Sequence, residues 1–261
     1  MSSQAPDAPP VPAFGPLFAE SGTDDSSTHA HRQLIGYLGL FLPLLLWIMA
    51  VWRPIEWPKR WEHLNSISAY YYTWAVAAFV GVLVALAVFL FTYGGYKNDD
   101  RWLDRLAAVI AGIAAIGVAF FPTSAPDGVP APSWWEPWMR TVHYVSAGVL
   151  FGSFIVFSLY LFRKSDVKKK GTRLPVEKRI RNGVYVSCGF VMLGCMVWVA
   201  GAAKSHTSIF WPEVLALEFF AVSWLVKGRA GWTLSEAGRR TRYYAAKPRR
   251  LAGDVRRTMR G

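Results

Sequence analysis

Hydrophobic residues occur in six long runs that contain few or no charged residues. The runs cover residues 34–52, 70–94, 103–121, 141–162, 182–203 and 209–227. A helix needs about 20 apolar residues to cross a bilayer, and each run is near that length. The pattern therefore predicts an all-α, polytopic membrane protein with a six-transmembrane-helix bundle at residues 34–227. Buried helices of a globular protein would need amphipathic partners, which the short connecting segments do not supply.

The two tails differ in composition from this central region. Residues 1–33 contain five prolines among serine, alanine and aspartate, which predicts a disordered cytoplasmic tail. Residues 228–261 are basic with interspersed aromatic residues, which predicts a cytoplasmic tail that meets anionic lipid headgroups. A basic tail beside a membrane helix is ordinary, so no nucleic-acid partner is expected. Residues 1–33 also lack the basic-then-apolar pattern of a cleavable signal.

Basic residues predict the orientation of the bundle, because Lys and Arg near helix ends are retained on the cytoplasmic side. If the termini and the second and fourth loops share one side, that side carries 24 of the 29 Lys and Arg residues. Both termini are therefore predicted to be cytoplasmic. The net charge of +12 is then mostly a property of the inner face.

Composition agrees with a membrane location and offers little chemistry. Hydrophobic residues make up 53% of the chain, and 13 residues are tryptophan. The two cysteines, Cys188 and Cys195, lie seven apart on one predicted helix, whose geometry keeps them outside disulfide range. No cofactor is expected, because no redox or haem-attachment motif is present.

Small residues four apart predict close helix packing in lipid. The third run contains such pairs, including Ala108 with Gly112 and Ala111 with Ala115, which indicates a central helix. The fourth run carries Gly148 and Gly152. This pair is interpreted as an internal contact, with a seam between two copies of the chain as the alternative.

Ionisable and polar residues gather on the predicted outer side. Glu218 lies well inside the last run, where a carboxyl group costs a few kcal/mol unless it is paired, hydrogen-bonded or protonated. His143 begins the fourth run from the same side. The candidate ligand-binding residues are Glu218, His143, Ser146, Ser68, Tyr71, Tyr72, Asn65 and Arg140. The structural alternative for Glu218 is a hydrogen bond that ties the sixth helix to the bundle.

A catalytic role for the residues on the predicted outer side is less well supported. His63, His143 and His206, completed by Glu213 or Glu218, could provide zinc ligands, but their spacing matches no metal signature. Ser68 as nucleophile with His143 as base lacks the surrounding nucleophile-elbow motif. A catalytic role is therefore not favoured, and no resident metal is expected.

Several short motifs carry a resemblance to a known group of proteins. They are LNSISAYYYT leading into the second run, FFPT ending the third, HYVSAG starting the fourth and SWLVKG ending the sixth. With these the chain resembles uncharacterised bacterial six-helix membrane proteins, which are distantly similar to the DRAM-like superfamily. The resemblance implies six helices in a bacterial inner membrane and no established reaction. His143 is the one position carried over from the superfamily. Ceramidase-type membrane hydrolases differ, because they have paired histidines in the last helix.

The function favoured by these patterns is binding or movement of a lipid-like or small amphipathic molecule in the outer half of the bilayer. The pocket would form around His143 and Glu218. One alternative is a metal-assisted membrane hydrolase at the same place. Another is a structural or regulatory module whose basic cytoplasmic face meets lipid or a partner.

Overall fold

A computed structural model describes residues 20–52, 63–95, 101–164, 176–205 and 207–229 of the 261-residue chain. Its α-helices are α1 (Glu20–Trp52), α2 (Val76–Phe91), α3 (Arg101–Phe120), α4 (Pro137–Leu159), α5 (Val176–Ser205) and α6 (Phe210–Lys227). Short 3-10 helices occupy Ser68–Tyr72 and Leu161–Arg163. These ranges contain no strand, so the predicted all-α class is confirmed for them.

Four helical segments are long and apolar enough to cross a membrane. They are Ser27–Val51, Arg101–Phe120, Pro137–Arg163 and Lys178–Ala202. Helix α2 is apolar but shorter, at 16 residues. Helix α6 is apolar apart from Glu213, Glu218, Ser223 and Lys227. The membrane-type character of the bundle is thus evident, whereas six crossings and the side on which the termini lie stay predictions.

Each helix packs against the next along the chain, and α6 returns to pack against α1. Helix α4 also touches α6, which leaves α5 on the outside of the groove between them. One end of the bundle, here called the Ser68 end, holds residues 63–75, 121–136 and 207–209. The opposite Lys227 end holds residues 92–95, 160–164 and 228–229.

Glycine allows several of these helices to approach closely. A Cβ atom added to Gly39 of α1 would lie 2.7 Å from the ring of Phe220 on α6. One added to Gly189 of α5 would lie 2.4 Å from the Leu159 side chain of α4. The shortest such distance among the described glycines is between α3 and α4, where a Cβ on Gly117 would lie 2.2 Å from Oγ of Ser146.

The small residues of α3 are buried as predicted, with Ala108, Ala111 and Ala115 fully inaccessible. The position of the helix differs from the expectation, however. Helix α3 lies between α2 and α4 as one member of the ring and not at its centre. Around Gly148 and Gly152, a Cβ atom would meet nothing within 4 Å, so the described helices make no close internal contact at this pair.

The largest boundary difference concerns α1, which begins at Glu20 and so extends through part of the segment predicted to be disordered. Two polar residues near the end of this extension have partners in the bundle. His31 Nε2 lies 2.7 Å from the Phe89 carbonyl oxygen, and Gln33 Nε2 donates to the Gly228 carbonyl oxygen at 2.7 Å. Residues 1–19 and most of the basic tail, 230–261, lie outside the described part.

The interior near the Lys227 end contains both aromatic rings and buried polar side chains. Tyr93 and Trp224 meet edge to face, with ring centroids 5.3 Å apart. Lys227 Nζ donates to the Phe162 carbonyl oxygen at 3.1 Å. Asp104 is 3% exposed and packs beside Gly95, whose φ of +74° is typical of glycine. Aromatic rings and buried polar groups therefore close this end of the bundle.

Candidate functional site

Residues 63–75, which precede α2, form a cap over the Ser68 end and are called the cap segment below. Its backbone is tied to the start of α6: the Asn65 carbonyl oxygen accepts from the Ile209 amide at 2.8 Å. The Ile67 amide donates to Oε2 of Glu213 at 2.6 Å. Tyr72 reaches the loop after α3, donating its hydroxyl to the Thr123 carbonyl oxygen. The cap segment is therefore held by two separate parts of the bundle.

Ser68 begins the 3-10 helix of the cap segment and meets His143 of α4. The distance between Ser68 Oγ and His143 Nε2 is 2.8 Å. The other ring nitrogen, Nδ1, lies 2.7 Å from the Phe121 carbonyl oxygen. His143 is 2% exposed. Two of the predicted site residues, far apart in sequence, are thus brought into direct contact.

A cavity of about 50 Å³ lies among α1, α2, α3, α4 and α6, with Ile67 and Ser68 at its lining. Leu83, Leu150 and Phe154 are among the apolar residues of its walls. Of its sixteen described lining residues, Ser68 and Glu213 are the two with polar side chains. The volume exceeds the 10–15 Å³ that one water molecule needs. The interior is therefore an apolar space with polar groups supplied by the cap segment and the first turn of α6.

Glu213, and not Glu218, is the acid that lines this space. The two glutamates are five residues apart, which turns their side chains about 140° from each other around the helix. Glu218 shares its side of α6 with Leu215 and Val222, which are both 38% exposed. It is itself half-buried, and among the described residues no hydrogen-bond partner approaches it. The expected grouping of Glu218 with His143 is replaced by a grouping of Glu213, Ser68 and His143 around the cap segment.

The other predicted site residues are spread over the Ser68 end. Tyr71 and Tyr72 line a separate, open depression of about 350 Å³ together with Trp74 and Pro132. Ser146 packs against Gly117.

Arg140 is exposed, and its Nη1 lies 3.5 Å from Ser124 Oγ. Its guanidinium group therefore points toward the loop after α3, and it is not among the residues that line the cavity. The structure does not bring Arg140 together with Glu213 or Ser68 in a single binding pocket.

The predicted metal candidates do not converge in the described part of the chain. His63 stacks on Phe210, with ring centroids 4.6 Å apart. His143 uses both ring nitrogens in the hydrogen bonds given above, and His206 lies outside the described residues. Over the ranges that the structure describes, no three His, Cys, Asp or Glu side chains are grouped to hold a metal ion.

Comparison with known families gives a match over residues 41–228, which includes the cap segment and all of α2 to α6. The chain belongs to DUF7103, a family of unknown function. No curated protein and no solved structure matches it. The DUF7103 match leaves the resemblance to the DRAM-like superfamily and the bacterial source as expectations.

Sequence reasoning named Glu213 only as a possible zinc ligand and left it out of the candidate ligand-binding residues. A usable signal was present in the sequence. Glu213, Leu217 and Phe220 are spaced by four and three residues, so the acid lies on the same face as two strongly apolar residues. Leu217 and Phe220 are both buried, which makes this the inward face of α6.

Proposed function

We propose that this DUF7103 member is an integral membrane protein that binds a lipid-like or small amphipathic molecule in the cavity among its helices. The observation that carries the proposal is the lining of that cavity, which is hydrocarbon except for Ser68 and Glu213. Ligand sites of this kind combine apolar walls with a few polar groups that fix the orientation. An alkyl segment would lie along Leu83, Leu150 and Phe154, and a polar group would face the cap segment.

The hydrogen bonding of the Glu213 carboxyl group supports the binding of a ligand with a polar group. Its Oε2 accepts from the Ile67 amide, while no hydrogen bond to its Oε1 is found among the described residues. A carboxylate beside hydrocarbon is costly unless its oxygens are satisfied. A hydroxyl, amide or ammonium group of a ligand would satisfy Oε1. The cavity volume admits part of a chain, so the rest of such a ligand would lie between helices or in the bilayer.

The membrane setting proposed here has six crossings, both termini in the cytoplasm and the Ser68 end facing outward. In a bacterial inner membrane, the basic residues at the Lys227 end and in the tail would then meet anionic lipid headgroups. Reporter fusions at each terminus and in the loop between α3 and α4 test this orientation. Active cytoplasmic reporters at both termini and a periplasmic reporter in the loop are expected, and any other combination contradicts it.

Binding is tested with the purified full chain in detergent, using a fluorescent long-chain fatty alcohol and the corresponding fatty amide as probes, because both carry a donor for Glu213 Oε1. Leu83→Trp fills the cavity and is expected to weaken binding of both probes at least tenfold. Val88→Trp is the matched control, because Val88 lies on the same helix and is 52% exposed. Thermal unfolding of both variants monitors folding. If the two folded variants bind the probes equally well, the cavity is not the binding site.

A further inference from the structure

The hydrogen bonds of His143 define which of its nitrogens carries the proton. A carbonyl oxygen can only accept, so the 2.7 Å contact with the Phe121 carbonyl requires a proton on Nδ1. In the neutral imidazole, Nε2 then presents its lone pair to Ser68 Oγ, 2.8 Å away. The serine hydroxyl donates to Nε2. This is the arrangement in which a histidine removes the proton of a serine as the hydroxyl attacks.

The surroundings fix this pair from both sides. The Phe121 carbonyl orients the imidazole ring, which is a role that a carboxylate plays in many serine hydrolases. On the other side, the residue before Ser68 is anchored by the bond from its amide to Glu213. Ser68 itself lines the cavity, whereas His143 is packed behind it. A molecule in the cavity would therefore meet the hydroxyl before it met the base.

We infer that Ser68 is the nucleophile and His143 the general base of an acyl-transfer site whose substrate is an ester with an apolar acyl chain. The substrate class follows from the cavity, because its hydrocarbon walls suit an acyl chain and Ser68 lies at its polar end. This inference rests on the proposed function for the location of the ligand. It adds a covalent step that ligand binding alone does not need.

The reaction divides into two balanced steps. Ser68 Oγ attacks the ester carbonyl carbon while its proton moves to His143 Nε2. The tetrahedral intermediate collapses, the bond to the alcohol oxygen breaks, and the leaving alcohol takes the proton from Nε2. An acyl-serine remains. A water molecule or a second alcohol then attacks the acyl carbon, gives its proton to Nε2, and releases the acid or a new ester as that proton returns to Ser68 Oγ.

A purely structural hydrogen bond would give the same distances, so the test measures the reactivity of Ser68. The full chain in detergent is incubated with a long-chain alkyl fluorophosphonate, which phosphonylates an activated serine with loss of fluoride. Intact mass and peptide mapping locate the adduct. One adduct per chain on Ser68 is expected, with none on Ser66, two residues away in the same cap segment.

Three variants separate the roles. Ser68→Ala is expected to abolish labelling. His143→Asn keeps an N–H donor near the position of Nδ1 but removes the base, and it is expected to slow labelling about 100-fold or more. Ser153→Ala is the control, since Ser153 lies on α4 and donates to the Val149 carbonyl oxygen, away from the pair. It is expected to label at the wild-type rate.

Thermal unfolding and fatty-alcohol binding are measured on the same samples. Absence of an adduct on Ser68 in folded protein that binds the fatty alcohol would overturn the inference and leave the proposed function intact. Labelling that is unchanged in folded His143→Asn would also overturn it, because the histidine would then not act as the base. Adduct formation on Ser68 without fatty-alcohol binding would support the reactive pair and refute the proposed ligand.

Discussion

Replacement of Gly117 by alanine tests the close approach of α3 and α4. The new Cβ atom would lie 2.2 Å from Ser146 Oγ and 2.9 Å from Ser146 Cβ, whereas ordinary contact begins near 3.4 Å. A change in the Ser146 χ1 angle removes the first overlap and leaves the second. The two helices must therefore separate locally by about 0.5 Å. Overpacking of this kind costs about 1–3 kcal/mol, partly offset by the roughly 0.5–1 kcal/mol by which a helix favours alanine over glycine.

The free energy of unfolding is measured by SDS titration of the protein in mild detergent. Gly148→Ala is the matched control on the partner helix, because a Cβ there meets nothing within 4 Å. We expect Gly117→Ala to be the less stable of the two by about 1–3 kcal/mol, because the helix preference for alanine is common to both variants. Adding Ser146→Gly to Gly117→Ala removes both overlapping atoms and should recover part of the loss. Equal stability of the two single variants would refute this account of the α3–α4 contact.

Substitutions at three further positions examine other parts of the bundle, each measured by the same unfolding titration. Gly95→Ala places a side chain at φ +74° and a Cβ atom 3.0 Å from Asp104 Cβ, so a loss of about 1–2 kcal/mol is expected, with Gly194→Ala, in open space, as control. Glu213→Leu leaves the Ile67 amide without its acceptor and should cost about 1–3 kcal/mol, whereas Glu213→Gln retains an acceptor oxygen and should cost less. If both Glu213 variants are equally stable, the hydrogen bond to the cap segment contributes nothing. Glu218→Gln should leave stability within about 0.5 kcal/mol of the wild type, and a larger loss would reveal a partner for this half-buried carboxyl.

The helices were accessible to sequence reasoning because a bilayer-length apolar run is a one-dimensional signal. Each of the six runs overlaps an observed helix. The start of α1 could not be predicted in this way, because residues 20–33 do not form an apolar run. In the structure, His31 and Gln33 of this segment form hydrogen bonds with carbonyl groups that are distant in sequence. Partners separated by 58 and 195 residues leave no local pattern.

The candidate site was predictable in part for the same reason. His143 and Ser68 were selected as polar residues that enter from the same predicted side as Glu218, and the structure brings the two into contact. Which glutamate joins them depends on the rotation of α6 about its axis. Depth alone favoured Glu218, whereas the side of the helix that faces inward belongs to Glu213. Rotation is determined by packing against neighbouring helices, which a single sequence reveals only through the spacing of its apolar residues.

Ile67 and Ser68 are consecutive residues, yet their bonds lead to different helices, α6 through Glu213 and α4 through His143. A small rotation of α6 that draws Glu213 away would release the Ile67 amide and shift the next residue with it. Hydrogen bonds weaken steeply with misalignment, so a displacement of well under 1 Å would suffice to loosen the serine–histidine contact. The hydrogen bond between Ser68 and the imidazole of His143 therefore depends on the position of α6. The NMR resonances of the imidazole would register a rearrangement of that helix before any change in secondary structure.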